Sequence, residues 1–599
     1  MAQTLIDVLQ TTSHITHKGY DFLDGKLESR AWSFAELNAE ADRRGAYFQS
    51  LGLKKGDRVA MIVPDGQDFV LTFFGAIRAG LVPVPMYPPL ALGKMDSYVE
   101  SARKIMTTAG ARYLVTSKAV APIVWSLVPR VPSLEDVLTV EKVEKGARET
   151  THPFVDPQLR SEDTCFLQFT SGSTSDPKGV VVTHANLVAN AKAIMVDGLQ
   201  SDGEKDRGVS WLPLYHDMGL IGFVVAPLLT QVPVVFIPTL SFVKGPNTWM
   251  DTINKYRGTI TFAPNFAFGL AAKRMNARRA EKLDLSCLRV VGCGAEPIHV
   301  DTMRAFIDAF APAGLKPEAV MPAYGMAEAT LAISFDRLDR TFKSVRIDRT
   351  RYELDKVVQP SNASDAMELV SCGHTFAGHE VGIMGDEKEL LGAGRVGEVV
   401  LRGPSVTTGY FENEDATAAL LRDGWLHSGD LGFMLGGELY ISGRMKDLII
   451  LNGRNYYPQS IEWEVEQVGG VRRGNVVAFA VAGAQSEELV VVAETRAAER
   501  DELRKAIKQR VHDSFGLRAR AVVLVEPGAL PKTSSGKLQR RRTRNMYETS
   551  TLESENRSPG STRTKLKLAR HLTVSAVARI THSVKQPARR IAGRITSNR

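Results

Sequence analysis

An early stretch of the chain predicts a strand, a helix and a second strand in close succession. Apolar runs at residues 58–63 and 82–86 flank a helical stretch at 67–79, and Gly80 provides a stop signal for that helix. Parallel strands joined by a helix require this order, because the helix must cross back over the sheet. The alternation continues past residue 430. The sequence therefore predicts an α/β fold class in which helices cover the β-sheets.

The length of the chain requires more than one folded unit, since one compact core seldom grows past about 250 to 300 residues and this chain has 599. Further strands and helices are predicted at 448–451, 461–467, 476–481, 489–493, 501–513 and 521–525. They form a compact unit of about 100 residues, a normal domain size. We therefore predict a large N-terminal domain over 1–443, a smaller α+β lid domain over 444–546, and a basic linker and tail over 547–599.

The net charge of +8 is typical of proteins that bind nucleic acids or membrane surfaces, but the charge is unevenly distributed. Residues 557–599 contain eleven Lys or Arg and no Asp or Glu, so the rest of the chain has a net charge of −3. We therefore predict no nucleic-acid partner. The four cysteines form no CxxC pair, and the first residues lack a basic segment followed by an apolar run, so we predict a cytoplasmic location.

The tail leaves three alternatives open. Residues 563–584 place apolar side chains, Ala576 and Val577 among them, at helical spacing with Lys and Arg at other positions. A basic amphipathic helix suits a peripheral contact with an anionic membrane or an acidic partner. The third alternative is a solvated tail without a function of its own.

Residues 218–243 contain no charged side chain, and a run of that length raises the question of a membrane span. Its prolines argue against one, because proline inside a helix removes a hydrogen bond and clashes with the preceding turn. The sequence instead predicts a buried helix followed by a buried strand around 234–237.

The strongest local signal is a turn rich in hydroxyl groups and glycine at residues 170–179, between two apolar strands. Its backbone N–H groups, its hydroxyls and its lysine offer donors and a cation to a polyphosphate. The predicted phosphate-binding residues are Thr170, Ser171, Gly172, Ser173, Thr174 and Lys178. The segment is not a Walker A loop, because Gly179 follows the lysine where Ser or Thr is needed. Taken alone, it is equally typical of a polar hairpin loop.

Six further motifs occur in chain order: YHDMG at 215–219, GAEP at 294–297, YGMAE at 324–328, SGDLG at 428–432, GRMKD at 443–447 and PKTSSGK at 531–537. Together with the turn at 170–179, they resemble the adenylate-forming superfamily of acyl-, aryl- and aminoacyl-activating ligases. The resemblance covers most of residues 1–545. It implies ATP and Mg²⁺ as cofactors.

The resemblance implies a role for each matching residue. It makes Lys537 the catalytic lysine of adenylation, His216 a gate near the acyl and α-phosphate groups, and Glu328 a catalytic residue and the Mg²⁺ ligand. The implied nucleotide-binding residues are Gly294, Ala295, Glu296, Tyr324, Gly325, Met326, Ala327, Asp430 and Arg444. Among these, Tyr324 would offer its ring to the adenine, and Asp430 with Arg444 would contact the ribose.

Simpler interpretations of the same residues are available without the resemblance. Glu328 would be a surface carboxylate, His216 a structural histidine, and Lys537 a mobile, exposed lysine on a loop without an apolar anchor. The resemblance also places Lys446 at a hinge that lets the small domain close over the large one and swing away.

Finer features are similar to the fatty acyl-AMP ligase branch, whose members pass the acyl group to the phosphopantetheine of a carrier protein rather than to coenzyme A. Ala327 stands where acyl-CoA ligases usually carry Thr, and residues 452–462 have the aromatic-Pro-Gln form of the branch. Residues 335–370 resemble the insertion that is held to restrain the small domain. An ordinary surface loop is the alternative for that stretch.

The sequence thus predicts ATP-dependent activation of a fatty acid to an acyl-adenylate, with release of pyrophosphate. The acyl group would then pass to an acyl carrier protein or to a carrier domain of a polyketide or nonribosomal peptide synthase. An apolar acyl pocket is predicted at 264–268 and 219–225. Two alternatives remain, a long-chain fatty acid–CoA ligase and a catalytically silent binding module with the adenylate fold.

Overall fold

The structure is a computed structural model, and it describes residues 3–89, 95–170, 177–363, 366–451, 454–483, 487–533, 536–552, 573–579 and 581. The first part of the chain contains α1 (Leu5–Thr11), β1 (Gly19–Leu23), β2 (Ser29–Ser33), α2 (Phe34–Ser50), β3 (Arg58–Ile62), α3 (Gly66–Arg78), β4 (Val82–Pro85), α4 (Met95–Ala109), β5 (Tyr113–Thr116), α5 (Ala121–Val124), β6 (Asp136–Thr139) and α6 (Val140–Glu149).

The middle part contains β7 (Thr164–Thr170), β8 (Lys178–Thr183), α7 (His184–Lys192), β9 (Gly208–Ser210), α8 (Asp217–Leu220), α9 (Ala226–Leu229), β10 (Val234–Phe236), α10 (Thr239–Lys244), α11 (Asn247–Tyr256), β11 (Ile260–Ala263), α12 (Asn265–Arg274), α13 (Ala277–Ala280), β12 (Val290–Cys293), α14 (Val300–Phe310) and β13 (Val320–Gly325).

The large domain, defined as α1 to β22, continues with β14 (Ala332–Phe335), β15 (Ser344–Ile347), α15 (Arg349–Asp355), β16 (Met367–Val370), β17 (His374–Thr375), β18 (Glu380–Met384), β19 (Gly397–Arg402), α16 (Glu414–Leu420), β20 (Leu421–Arg422), β21 (Trp425–Leu435) and β22 (Glu438–Arg444). The small domain contains β23 (Ile449–Leu451), β24 (Arg454–Tyr456), α17 (Pro458–Glu466), β25 (Val471–Ala482), β26 (Glu487–Thr495), α18 (Arg500–Phe515), β27 (Ala519–Val525) and α19 (Arg540–Glu548).

Within the described residues, the large domain is built on three main sheets. The longest has the order β17-β14-β13-β12-β11-β9-β10-β1-β2, a second has the order β4-β3-β5-β6, and a third joins β18, β19, β21, β20 and β22. The predicted strand, helix and strand are β3, α3 and β4, and β3 pairs in parallel with both β4 and β5. The small domain has its own sheet, β25-β26-β27. The predicted fold class is confirmed.

The helix α2 shows how local sequence sets these elements. Ser33 Oγ accepts a hydrogen bond from the Glu36 N–H at 3.2 Å, and Glu36 Oε2 accepts one from the Ser33 N–H at 2.8 Å. This reciprocal capping satisfies two N–H groups that would otherwise lack partners at the helix start. The first residue of α2 is therefore the one that follows the serine.

The uncharged run at 218–243 folds as predicted, into short buried helical turns followed by the strand β10. In the part of the chain that the structure describes, no helix is long and apolar enough to cross a membrane.

The described piece of the tail, residues 573–579, is helical but presents a different face from the predicted one. Ala576 and Val577, predicted on the apolar face, are exposed, and Ser575 is buried instead. The Ser126 N–H donates to Ser575 Oγ at 3.0 Å, and that hydroxyl donates to the Ile123 carbonyl oxygen at 3.2 Å. A polar contact with the large domain, which the spacing of apolar residues could not reveal, sets the orientation of this helix.

An aromatic cluster forms the base on which α12 and α14 pack. The ring centroids of Trp249 and Phe268 are 5.9 Å apart and those of Phe268 and Phe306 are 4.7 Å apart, and all three side chains are fully buried. Large aromatic side chains in such clusters contribute both buried area and favourable ring contacts.

We expect Phe306→Ala to lower the free energy of unfolding of the large domain by about 3–5 kcal/mol, because it leaves a cavity in this cluster. Denaturant unfolding followed by tryptophan fluorescence measures the change. Leu240→Ala is the matched control, since Leu240 is 59% exposed and its truncation should change stability by less than about 0.5 kcal/mol. Equal effects of the two substitutions would contradict the assigned role of the cluster.

Candidate active site

A single cavity of about 2330 Å³ lies between the two domains. It brings together every predicted site residue that the structure describes: Thr170, Lys178, His216, Gly294, Ala295, Glu296, Tyr324, Gly325, Met326, Ala327, Glu328, Asp430, Arg444 and Lys537. Ser171, Gly172, Ser173 and Thr174 lie outside the described residues. Residues separated by more than 300 positions in the chain therefore line one space.

Tyr324, Asp430 and Arg444 form a hydrogen-bonded corner of the cavity. The Tyr324 hydroxyl donates to Asp430 Oδ2 at 2.8 Å, and Asp430 Oδ1 lies 3.0 Å from Arg444 Nε. The strands position this set, because Asp430 and Arg444 are direct partners in the β21–β22 pair. The charge of Asp430 raises the pKa of Arg444 above its usual value. Asp430 is a strong acceptor fixed on both sides, as binding of a vicinal diol requires.

Glu328 is held by a tyrosine that the sequence analysis did not identify. The Tyr410 hydroxyl donates to Glu328 Oε1 at 2.7 Å, and the Lys178 ammonium lies 4.9 Å from the centroid of the Tyr410 ring. Burial raises the pKa of Glu328, and the hydrogen bond from Tyr410 opposes that rise. Tyr410 thus links the two predicted phosphate-site residues. No local motif marks it, because 82 residues separate it from Glu328.

Lys537 lies inside the cavity and is only partly exposed, whereas the loop sequence by itself predicted an exposed lysine. Burial lowers the pKa of its ammonium, and the charges of Asp217 and Glu296 oppose that shift. His216 Nδ1 lies 2.6 Å from Asp217 Oδ1. Burial alone would raise the pKa of Asp217, but His216, Lys537 and a backbone N–H hold it below its usual value. Asp217 is a second residue that the sequence analysis did not assign.

The backbone at two glycines lies so close to neighbouring main chain that an added Cβ would be crowded. A Cβ on Gly325 would lie 1.9 Å from the Leu331 carbonyl oxygen, and one on Gly294 would lie 3.0 Å from that of Ala323. Ala295 adopts a left-handed backbone with φ of 68°. These residues present main chain rather than side chains to the cavity, which suits close contact with a flat ring.

Glu296 follows these residues, and its Oε1 accepts a hydrogen bond of 2.6 Å from the Phe266 N–H. Burial raises the pKa of Glu296, whereas that hydrogen bond and the charges of Lys537 and Lys532 lower it. Glu296 therefore lies within the electrostatic range of two lysines of the small domain.

The predicted apolar pocket is only partly correct. Phe223, Phe266 and Gly222 line the cavity, as do the apolar residues Met195, Leu199, Val232, Ile260, Phe262, Leu270 and Phe335. Phe268, which was also predicted to line it, belongs to the aromatic cluster with Trp249 instead. Apolarity alone predicted burial but could not tell a pocket wall from a packed core.

The donor set for a divalent cation is small. Among the described residues there is no group of three or more His, Cys, Asp or Glu side chains that could hold a metal ion. Glu328 offers one carboxylate, and Mg²⁺ in enzymes commonly takes one or two carboxylates together with substrate phosphates and water. Glu328 fits that pattern, and the ion would supply a counter-charge for phosphate oxygens.

Comparison with known proteins agrees with this geometry. The family model for AMP-binding enzymes matches residues 16–411, and a model for the AMP domain of Disco-interacting protein 2-like proteins matches 446–557. The chain is 39% identical to a Caulobacter vibrioides protein provisionally named an acyl-CoA synthetase, over 86% of this chain and 90% of that protein.

Two further matches, one protein and one solved structure, have names that refer to the ligation of fatty acids. The medium-chain-fatty-acid–[acyl-carrier-protein] ligase JamA of Moorena producens is 32% identical, over 92% of this chain and 96% of its own. A solved structure from a study of fatty acyl-adenylate ligases of E. coli and L. pneumophila is 34% identical, covers 91% of this chain and 98% of its own, and superposes with a TM-score of 0.85. The chain therefore belongs to the AMP-binding enzymes of the adenylate-forming superfamily, in the branch that contains the fatty acyl-AMP ligases.

Proposed function

We propose that this enzyme joins a fatty acid to AMP. A carboxylate oxygen of the acid attacks the α-phosphorus of ATP, the bond from that phosphorus to the bridging oxygen breaks, and pyrophosphate leaves with the bonding electrons. The observation that carries the proposal is that Lys537 shares one cavity with Asp430, Glu328 and a set of apolar lining residues. An ammonium held there stabilises the negative charge that develops on the phosphoryl oxygens in the transition state.

The remaining polar residues bind and orient the nucleotide. Asp430 accepts hydrogen bonds from the ribose hydroxyls, and Tyr324 packs its ring against the adenine. Lys178 and the loop that precedes it attract the phosphates. Glu328 would hold Mg²⁺, which neutralises phosphate charge when it is bound. None of these groups becomes covalently attached to the substrate, so the rate enhancement comes from positioning and electrostatics.

The apolar part of the cavity lining supports a fatty acid as the second substrate. It includes Phe223, Phe262 and Leu270, and an acyl chain gains its binding energy from such burial. The names of two relatives, a medium-chain fatty acid ligase and a fatty acyl-adenylate ligase, agree with that substrate class.

We further propose a carrier protein, acyl carrier protein or synthase carrier domain, as the acyl acceptor. Described residues of the insertion at 335–370 contact the small domain, which supports a restrained small domain. The rings of Tyr352 and Tyr457 are 5.2 Å apart, the Arg349 guanidinium lies 4.6 Å from the Phe515 ring centroid, and Ser460 Oγ lies 3.6 Å from Met367 Sδ. These contacts favour the insertion over an ordinary surface loop.

The hinge is proposed at residues 444–447. Arg444 is tied to the large domain through Asp430 at 3.0 Å, whereas Asp447 pairs with Arg540 of the small domain at 2.6 Å. Lys446 lies exposed between these two attachments, where a few backbone torsions can absorb a rotation.

The decisive experiment is a pyrophosphate-release assay with ATP and fatty acids of increasing chain length, followed by transfer to holo-carrier protein and to coenzyme A. Acid-dependent pyrophosphate release and acyl transfer to the carrier are expected. Robust acyl-CoA formation would favour the acyl-CoA ligase, in line with the name of the Caulobacter relative. Absence of acid-dependent pyrophosphate release would favour a catalytically silent binding module.

We expect Lys537→Ala to reduce the rate of acyl-adenylate formation by at least about 100-fold, because it removes a cation that acts on the transition state. The affinity for ATP, measured by calorimetry, should change little, since Lys178 and Asp430 remain. An adenylation rate within a few-fold of the wild type would contradict the catalytic assignment.

Asp217→Asn tests the electrostatic environment of Lys537. The Asp217 charge raises the pKa of an ammonium that burial lowers, so its removal should lower that pKa further. Catalysis needs the protonated lysine, and adenylation should therefore be lost at a lower pH on the alkaline side of the pH–rate profile. The control is Asp301→Asn, a residue that lines the same cavity. An alkaline limb that stays in place in Asp217→Asn would refute this pairing.

Weakening the insertion should relax the discrimination between acceptors. Arg349→Gln removes the contact with Phe515, so acyl-CoA formation should rise several-fold relative to transfer to the carrier protein. Arg351→Gln is matched to it, because Arg351 lies on the same helix but pairs with Asp355 of that helix at 2.7 Å. Unchanged acceptor ratios in Arg349→Gln, or equal changes in both variants, would remove the support that the insertion gives.

A further inference from the structure

The strand that carries Asp430 is interrupted at that residue. In the β19–β21 pair the register shifts between Glu398 and Val400, so the three residues 428–430 lie opposite Val399 alone. Extra residues of this kind form a β-bulge, which takes backbone groups out of the ladder and changes the direction of a side chain. Asp430 therefore projects into the nucleotide corner from a bulge and not from a regular strand.

Hydrogen bonds to side chains replace the missing ladder at this bulge. Ser428 Oγ donates to the Val399 carbonyl oxygen at 2.5 Å and accepts the Asp430 N–H at 3.0 Å. The Gly429 N–H donates to Oε1 of Glu398 at 2.9 Å. Buried backbone N–H groups need partners of this kind. Glu398 thus holds the bulge from the neighbouring strand.

Gly429 gives the bulge its shape. Its backbone is left-handed, with φ of +69°, and a Cβ on it would have no described neighbour within 4 Å. Glycine is therefore needed there for its conformation and not for space. Because glycine adopts either sign of φ with little preference, a contact from outside the residue has to select this one. The hydrogen bond to Glu398 does so, and it thereby sets the direction in which the next residue, Asp430, presents its carboxylate.

The other oxygen of Glu398 is held by a histidine of the Asp430 strand. Oε2 lies 2.7 Å from His427 Nδ1 and 3.9 Å from Arg422 Nη2. A carboxylate only accepts hydrogen bonds, so Nδ1 is the donor. Among the described residues the buried Nε2 of His427 has no partner, so the bond to Glu398 orients the ring. The two side chains are only 13% and 9% exposed, which shields their hydrogen bond from competing water.

We propose that Glu398 is a positioning residue for nucleotide binding, which holds the bulge so that Asp430 can accept the ribose hydroxyls. The inference rests on the ribose contact of the proposed function. Tyr324 and Arg444 orient the Asp430 carboxylate, whereas Glu398 fixes the backbone from which that carboxylate projects. Glu398 acts through Asp430, since both of its own oxygens are engaged within the protein. Its loss should weaken recognition of the ribose and leave the reaction at the α-phosphate intact.

Glu398 also lines the cavity, so the experiment separates positioning from a direct effect of its charge. In the full chain, Glu398→Ala should weaken ATP binding, measured by calorimetry, about 10-fold, and Glu398→Gln should stay within about threefold of the wild type. Glutamine keeps an oxygen for the Gly429 N–H, and its NH₂ group can donate to His427 Nδ1 once the ring carries its proton on Nε2. Glu398→Asp keeps the charge but withdraws the carboxylate by one methylene, so its loss should be intermediate. In Glu398→Ala, KM for ATP should rise with kcat within about twofold.

A nucleotide without ribose hydroxyls shows whether the effect passes through Asp430. Glu398→Ala should bind 2′,3′-dideoxy-ATP as the wild type does, because that nucleotide lacks the groups that Asp430 accepts. Asp430→Ala and the double variant should bind ATP equally, since both substitutions in it remove one interaction. Glu380→Ala is the control, because Glu380 lies in the same sheet, is exposed and pairs with Arg402 at 2.5 Å; it should bind both nucleotides as the wild type does. Partial unfolding would lower both affinities alike, and thermal unfolding measures it directly.

Three outcomes would overturn the positioning role. They are equal losses for ATP and dideoxy-ATP in Glu398→Ala, additive losses in the double variant, and a Glu398→Gln variant as weak as Glu398→Ala, which would assign the effect to the charge itself. A wild type that binds both nucleotides equally would refute the ribose contact together with the inference. A wild type without acid-dependent pyrophosphate release would instead refute the proposed function, and the binding comparison would still support or contradict the role of Glu398.

Discussion

A lysine ammonium enclosed between two domains is the constraint on which the active site depends. Burial disfavours the charged form of Lys537, so the ammonium needs carboxylates nearby. The two carboxylates that act most strongly on it, Asp217 and Glu296, belong to the large domain, while the lysine belongs to the small one. Closure of the domains therefore both buries the ammonium and supplies the carboxylates that compensate it. Adenylation needs the charged lysine, so it depends on the same closed arrangement.

The attachment of the chain on either side of the hinge explains how closure can leave the nucleotide corner intact. Asp430 is bound by Tyr324 and Arg444 within the large domain. Asp447, three residues after Arg444, is bound by Arg540. Arg540 also pairs with Glu462 at 2.8 Å within the small domain. Only two residues therefore separate the last attachment to the large domain from the first attachment to the small one. A rotation at that point moves Lys537 through a large arc and does not displace the acceptor for the ribose.

The sequence predicted well those features that depend on neighbours in the chain. The order β3, α3, β4 follows from local patterns, and every described residue that the motifs singled out as a site residue lies in the cavity wall. It could not predict contacts that only the folded chain creates. Tyr410 reaches Glu328 from 82 residues away, and Phe266 and Phe268 have the same apolar character although one lines the cavity and the other packs in the core.

The tail illustrates the same limit and bears on the motion of the small domain. Its helix touches the large domain through Ser575 and Ser126, so the chain that leaves the small domain after Glu548 returns to the large one. The small domain is thus connected to the large domain at both of its ends. The 25 residues from Glu548 to Thr573 can span at most about 80 Å when fully extended. That reach exceeds the size of the domain they leave, since a compact unit of about 100 residues has a radius of gyration near 13 Å. The length of the chain between these two points is therefore compatible with both a rotation of the small domain about its hinge and the contact between Ser575 and Ser126.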